Sequence, residues 1–140
     1  MARERRDQRL VVLRVLAALF ALRSLGNLGK PLGTGTGLVF LGYLLTGPVM
    51  WLLAPLLGLY MLVWAYGLWT LRGYAVPMGL AYLALVVVNV IGFPLHQSLP
   101  PGATLPMYGV YALIAVGAPA LAIVILIRLR AAAPTLAARP

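Results

Sequence analysis

The chain has 140 residues, of which 63% are hydrophobic and only 9% are charged, and it has no cysteine. A soluble domain is about half apolar and a quarter charged, so the composition excludes an ordinary water-soluble domain and predicts an integral membrane protein. The lack of cysteine excludes disulfides and thiolate metal ligands. The net charge of +9 does not indicate nucleic-acid binding, because the basic residues lie at segment ends rather than in one aromatic-laced patch.

The first apolar segment is predicted to be a transmembrane helix over residues 9–29. Its basic start is typical of a secretory signal, but Arg14 and Arg23 interrupt the apolar part and no clear Ala-x-Ala cleavage site follows. We therefore interpret it as a retained helix. The breaker cluster GKPLGTGTG, residues 29–37, ends it.

The second apolar stretch is too long for one span. It runs from Leu38 to Leu71, and its 34 residues would measure about 51 Å as one helix, against a bilayer core of about 30 Å. Pro48 and Pro55 lie inside it, so we expect a short broken piece over residues 38–46, re-entrant or interfacial, and then a span over residues 48–71. A half-helix beginning near Leu38 would direct the positive end of its dipole toward the end of the first span.

Two further spans follow, over residues 75–95 and 107–129, on either side of the polar loop HQSLPPGATLP. The sequence thus predicts an all-α integral membrane protein, a single transmembrane helical domain over residues 1–140 with four spans. Such a chain is typical of a bacterial inner membrane.

The arginines predict the orientation of the chain. With four spans and the N-terminus in the cytoplasm, nine of the 11 lysines and arginines lie on the cytoplasmic side, namely Arg3, Arg5, Arg6, Arg9, Arg14, Arg72, Arg128, Arg130 and Arg139. If the first segment lay flat instead, the N-terminal arginines would share a side with the loop after the third span, which has none. Four spans obey the positive-inside rule and three break it, so we expect both termini in the cytoplasm.

Two polar stripes face the outer half of the predicted bundle. Residues three, four or seven apart share a helix face, which places Arg23, Asn27 and Lys30 on one face of the first span and Tyr82, Asn89 and His96 on one face of the third. Arg23 lies seven residues below Lys30, and Asn89 seven below His96, so both are about 10 Å deep. The spacing therefore predicts that Arg23 and Asn89 meet, with Lys30 and His96 flanking an entrance.

Three explanations of the intramembrane arginine remain open. Arg23 could snorkel to the headgroups, although helical side chains lean toward the N-terminus of their helix, which here points inward. It could be satisfied by the Asn89 carbonyl oxygen, by free backbone carbonyls or by aromatic faces. It could instead bind an anion, such as a lipid phosphate or a carboxylate.

The sequence offers little for catalysis. It has no intramembrane acid, no cysteine nucleophile and one histidine, so we expect no enzyme, no cofactor and no metal. The first functional hypothesis is a structural or accessory subunit of a homo-oligomer or of a larger membrane complex, surrounded by membrane lipids. The alternative is an anion channel or transporter, or a protein that binds lipid headgroups, using the two polar stripes.

Overall fold

The structure is a computed structural model that describes residues 2–33, 37–97 and 104–132. Its helices are α1 (Ala2–Leu28), α2 (Gly47–Trp69), α3 (Ala75–His96) and α4 (Leu105–Ala131). A short 3-10 turn, Lys30–Leu32, follows α1, and the strands β1 (Leu38–Phe40) and β2 (Tyr43–Leu45) precede α2. All four helices are long and apolar enough to cross a membrane, which confirms the predicted helical character. The two ends of the predicted domain, residue 1 and residues 133–140, which include Arg139, lie outside the described residues.

Prolines mark where these helices begin and where they lack a hydrogen bond. Pro48 occupies the first turn of α2, where a missing N–H costs nothing. Pro55, Pro94 and Pro119 lie inside α2, α3 and α4. Each removes one N–H and so frees the carbonyl four residues earlier, which another group in the bundle can then bind.

The segment before α2 is a β-hairpin, so the expectation of a half-helix beginning near Leu38 is wrong. Leu38 pairs with Leu45 and Phe40 with Tyr43 in antiparallel register. The two turn residues, Leu41 and Gly42, both have positive φ, 51° and 82°, as in the two-residue turns that fit the twist of a hairpin. Because no helix begins there, no helix dipole is directed toward Arg23 from this segment.

The hairpin packs directly against α3. The Gly42 N–H donates to Asn89 Oδ1 at 3.2 Å, and Asn89 Nδ2 donates to the Val39 carbonyl oxygen at 3.1 Å. A Cβ on Gly42 would lie 2.7 Å from the carbonyl carbon of Gly92. One amide side chain and one glycine–glycine contact thus fix the hairpin on α3, backbone against backbone.

The bundle has a closely packed end and a more open end, where α4 buries no residue. The packed end surrounds Trp64, which is fully buried. Its main cluster contains Leu13, Ala17 and Phe20 from α1, Met61, Ala65 and Leu68 from α2, Tyr82 from α3, and Ala122, Ile123 and Leu126 from α4. All buried residues of α4 lie at Pro119 or beyond it. The other end, with the last turns of α1, the hairpin and the first half of α4, is called the open half below.

Candidate functional site

A cavity of about 500 Å³ lies in the open half, within the size range of small-molecule sites. Five of the six predicted site residues line it, namely Arg23, Asn27, Lys30, Tyr82 and Asn89. The hairpin contributes Leu38, Val39 and Leu44, and α4 contributes Met107, Tyr108 and Tyr111. The two polar stripes therefore face the same space, and most of the remaining wall is apolar.

Arg23 is the chemically unusual residue of this cavity. Its side chain is exposed to the cavity, and within the described part of the chain its guanidinium has neither a hydrogen bond nor a salt bridge. The only two acids of the sequence are Glu4 and Asp7. Asp7, the nearer, lies 16 residues earlier in the same helix, about 24 Å away along its axis. No acid of this chain can therefore neutralise Arg23.

Lys30 adds a second positive charge to the same wall. Its Nζ donates to the Gly37 carbonyl oxygen at 2.6 Å, which ties the end of α1 to the start of the hairpin. An ammonium has three donors, so this bond does not exhaust it. Arg23 lies close enough to Lys30 for the two charges to interact, and like charges held together in a low-dielectric environment favour an anion between them.

Tyr82 directs an unused hydroxyl into the cavity. The residue is only 5% exposed, and within the described residues its hydroxyl has no hydrogen bond, although it is not sealed inside protein. A buried tyrosine hydroxyl usually has a partner. Arg23 and the Tyr111 hydroxyl both lie near enough to act on it electrostatically. Tyr111 has no hydrogen-bond partner in the described chain either. One guanidinium and two phenols without hydrogen-bond partners in the described chain thus line the same cavity.

Tyr108 also lines the cavity, but its hydroxyl serves the fold. It donates to the Val90 carbonyl oxygen at 2.8 Å. In a regular helix that carbonyl would accept from the residue four positions later, which here is Pro94 and has no N–H. The Tyr108 hydroxyl replaces the missing donor and joins α4 to α3.

Asn89 lies on the same cavity as Arg23 but does not bind it, so this one of the three explanations of the arginine does not apply. Both residues line the cavity, but both ends of the Asn89 amide bond the hairpin backbone at Gly42 and Val39. The physical reason is competition. The hairpin brings an unpaired N–H and a carbonyl against α3, and the short amide side chain satisfies both.

His96 lies outside the cavity, so its predicted place beside the entrance is wrong. Its ring packs on Tyr43, with 4.5 Å between the centroids. Its Nδ1 lies 2.7 Å from the Gly92 carbonyl oxygen, one helical turn earlier. Because that oxygen can only accept, Nδ1 carries the proton. The hairpin packs on the face of α3 where the spacing of the polar residues predicts an entrance.

An aromatic cluster lies behind one side of the cavity. The Tyr82 ring, which lines the cavity, packs on Trp64, with centroids 5.3 Å apart, and Trp64 packs on Phe20 at 4.6 Å. Trp64 is held in place because its Nε1 donates to the Ala75 carbonyl oxygen at 2.9 Å. Trp64 and Phe20 therefore support the Tyr82 ring without lining the cavity themselves.

The polar side chains that line this cavity are cationic or neutral, and no carboxylate is among them. Within the described residues no three of His, Cys, Asp and Glu lie together. The arrangement can hold the oxygens of an anion through a planar guanidinium, which binds phosphate or carboxylate in a bidentate way, and through two hydroxyls. Comparison of the chain with protein-family models, with curated proteins and with solved structures found no match.

Proposed function

We propose that this chain is a multi-pass membrane protein that binds an oxyanion, either a phosphate or a carboxylate group, in the cavity beside Arg23. The observation that carries the proposal is the convergence of three unsatisfied donors, from Arg23, Tyr82 and Tyr111, on one cavity. An intramembrane arginine costs roughly 2.5–3.5 kcal/mol on insertion scales. A bound anion offsets that cost and gives each donor a partner.

The proposal places both termini in the cytoplasm of a bacterial type of inner membrane. Arginines cluster at the packed end of the bundle, at the start of α1 and the end of α4 and at Arg72 between α2 and α3. The positive-inside rule assigns such an end to the cytoplasm. The cavity then lies in the outer half of the membrane, where membrane lipids are its nearest neighbours.

Binding fits the geometry better than conduction or catalysis. The Tyr82 ring lines the cavity and packs on the fully buried Trp64, so the packed half beyond it favours a closed site, whereas a pore needs a path to the other side. No aspartate, glutamate, histidine, cysteine or serine is among the described residues that line the cavity, so it lacks the usual pairs of nucleophile and general base. The role as an accessory subunit of a homo-oligomer or of a larger complex stays a prediction, and anion binding is compatible with it.

A titration of purified protein in a neutral detergent tests the proposal. The probes are inorganic phosphate, acetate, dodecyl phosphate and dodecanoate, with heats of binding measured by calorimetry. Arg23→Gln should weaken binding of every probe that binds by roughly 10- to 100-fold, because a hydrogen bond to a charged group contributes about 1.5–3 kcal/mol. Arg14→Gln is the matched control, since Arg14 lies in the same helix but packs 5.5 Å from the Trp69 ring centroid.

Two results would overturn the proposal. One is that none of the four anions binds the wild-type protein. The other is that Arg23→Gln and Arg14→Gln change the affinity by the same factor, because binding would then depend on net charge and not on the cavity.

A further inference from the structure

We infer that the oxyanion is the headgroup of an amphiphile with an alkyl chain, which enters the cavity sideways from the lipid between α1 and α4. The inference rests on the proposed oxyanion site and adds to it the chemical class of the ligand and its route. Two observations support it. One is the apolar wall of the cavity, and the other is which of the seams, the boundaries between neighbouring elements around the cavity, are closed by contacts.

The wall suits a hydrocarbon chain better than a hydrated ion. Beyond the donors around Arg23, the surface is formed by aliphatic side chains of the hairpin and of α3, among them Leu38, Leu44, Leu85 and Val90. A free phosphate would lose its water against this surface without replacement, which is costly. An alkyl chain attached to the anion would instead cover the apolar wall and gain from every buried methylene.

Three seams of the open half are closed by named contacts. Between α1 and α2, a Cβ on Gly58 would lie 3.0 Å from the Ser24 carbonyl oxygen, so the two backbones nearly touch. Between α3 and the hairpin, the Asn89 amide and the close approach of Gly42 to Gly92 close the gap. Between α3 and α4, the Tyr108 hydroxyl bonds the carbonyl that Pro94 leaves free.

The seam between α1 and α4 is different. Both helices line the cavity, and they contact one another, but the residues that α4 buries all lie from Pro119 onward. On the other side of Pro119, Leu113 is 74% exposed and Ile114 is 63% exposed. A proline inside a helix is a common site of bending. The two helices therefore pack at one end and leave an opening at the level of Arg23.

The molecule carries its own control for non-specific lipid contact. A groove of about 520 Å³, similar in volume to the cavity, lies between α1 and α2 and is lined by Ala17, Ala21, Val63 and Trp69 among others. This control groove is almost entirely apolar, and none of its lining residues is charged. A hydrocarbon chain can occupy it, but no cation lines it; the Arg14 guanidinium beside it lies 5.5 Å from the Trp69 ring centroid, so Arg14→Gln shows whether label there depends on charge.

Two measurements on the purified full chain test the inference. In calorimetry, dodecyl phosphate and dodecanoate should bind at least tenfold more tightly than inorganic phosphate and acetate, and dodecanol should bind weakly. In photo-cross-linking, a dodecyl phosphate with a diazirine in its chain should label the apolar wall on the hairpin and α3 and, along the lateral route, the open half of α4 and the end of α1. Excess dodecyl phosphate should compete that label away, and Arg23→Gln should reduce it at least tenfold, whereas label in the control groove should change less than twofold.

The outcomes separate the two proposals. If phosphate or acetate binds as tightly as its dodecyl counterpart and depends on Arg23, the oxyanion site stands and the amphiphile is refuted. If dodecanol binds as tightly as dodecyl phosphate, the charge contributes nothing to binding, and the proposed oxyanion site is refuted. If competed label is found on α2 or on the hairpin and not on α4, the lateral route is refuted.

Discussion

Removing the hydroxyl of Tyr82 distinguishes a ligand site from a structural core residue. In Tyr82→Phe the ring keeps its packing on Trp64 and Phe20, and the lost hydroxyl has no partner within the described chain. The free energy of unfolding should therefore change by no more than about 0.5 kcal/mol. Binding of dodecyl phosphate should weaken by roughly 10-fold or more, because a hydrogen bond to a charged group contributes about 1.5–3 kcal/mol.

Tyr108→Phe is the matched control, and the opposite result is expected. Tyr108 lines the same cavity, but its hydroxyl is bonded to the Val90 carbonyl oxygen, which has no helical donor because of Pro94. Its loss should lower the free energy of unfolding by about 0.6 kcal/mol and by no more than about 1.7 kcal/mol, the average and the maximum found for hydrogen bonds between membrane helices. Affinity for dodecyl phosphate should change by less than about threefold, an effect below 0.7 kcal/mol.

Both substitutions can be compared in one experiment. Calorimetric titration with dodecyl phosphate gives the affinities, and unfolding in neutral detergent followed by circular dichroism gives the stabilities. The reasoning is refuted if Tyr82→Phe binds like the wild-type protein, or if Tyr82→Phe loses more stability than Tyr108→Phe. The first result would mean that the Tyr82 hydroxyl does not contact the ligand, and the second that it has a structural role that its lack of a partner does not reveal.

Three further predictions concern the hairpin and the orientation of the chain. Asn89→Leu should speed hydrogen exchange of the Gly42 amide at least tenfold, because its acceptor is lost; unchanged exchange would show that the hairpin is held by other contacts. Gly42→Ala should destabilise the fold by about 1–3 kcal/mol, since φ is 82° and the new Cβ would lie 2.7 Å from the Gly92 backbone. The control Gly109→Ala, in a helix with open space around it, should be neutral or stabilising by up to about 1 kcal/mol; equal losses would contradict the close contact. Because the chain has no cysteine, an impermeant maleimide should label Gln97→Cys in intact cells and Gln8→Cys only after permeabilisation, and the reverse pattern would overturn the orientation.

The helices could be predicted because hydropathy and proline positions are local signals. The spans over residues 75–95 and 107–129 fall within α3 and α4, whose apolar runs are bounded by polar loops. The first span was predicted over residues 9–29, whereas α1 begins at Ala2. A hydropathy window counts only the apolar part, but an α-helix propagates through charged turns once it has formed.

The hairpin could not be separated from a half-helix by hydropathy alone. Both are short apolar runs, and periodicity does not distinguish them. The signal that favours a hairpin is Gly42 at the centre of a two-residue turn, flanked by Phe40 and Tyr43, since aromatic residues favour strands. The turn begins with Leu41 at positive φ, a conformation that leucine rarely adopts. The residue type at this position therefore argues against a hairpin turn.

The site could be predicted where it depends on spacing within one helix, and not where it depends on contacts between helices. The stripes placed Arg23 and Tyr82 on faces that line one cavity. Tyr111 is not among the predicted site residues. Counting depth could have found it, because it lies six residues after the start of α4 and Arg23 lies five residues before the end of α1. The partner of Asn89 could not be inferred, because the hairpin had not been recognised.

The uneven packing of the bundle also determines which part of the molecule can move. Local opening is easiest where few apolar groups are buried, and α4 buries none before Pro119. The mouth between α1 and α4 can therefore widen while the end around Trp64 stays closed. A guest molecule can then exchange with the surroundings through fluctuations of half a helix, without unfolding of the rest of the protein.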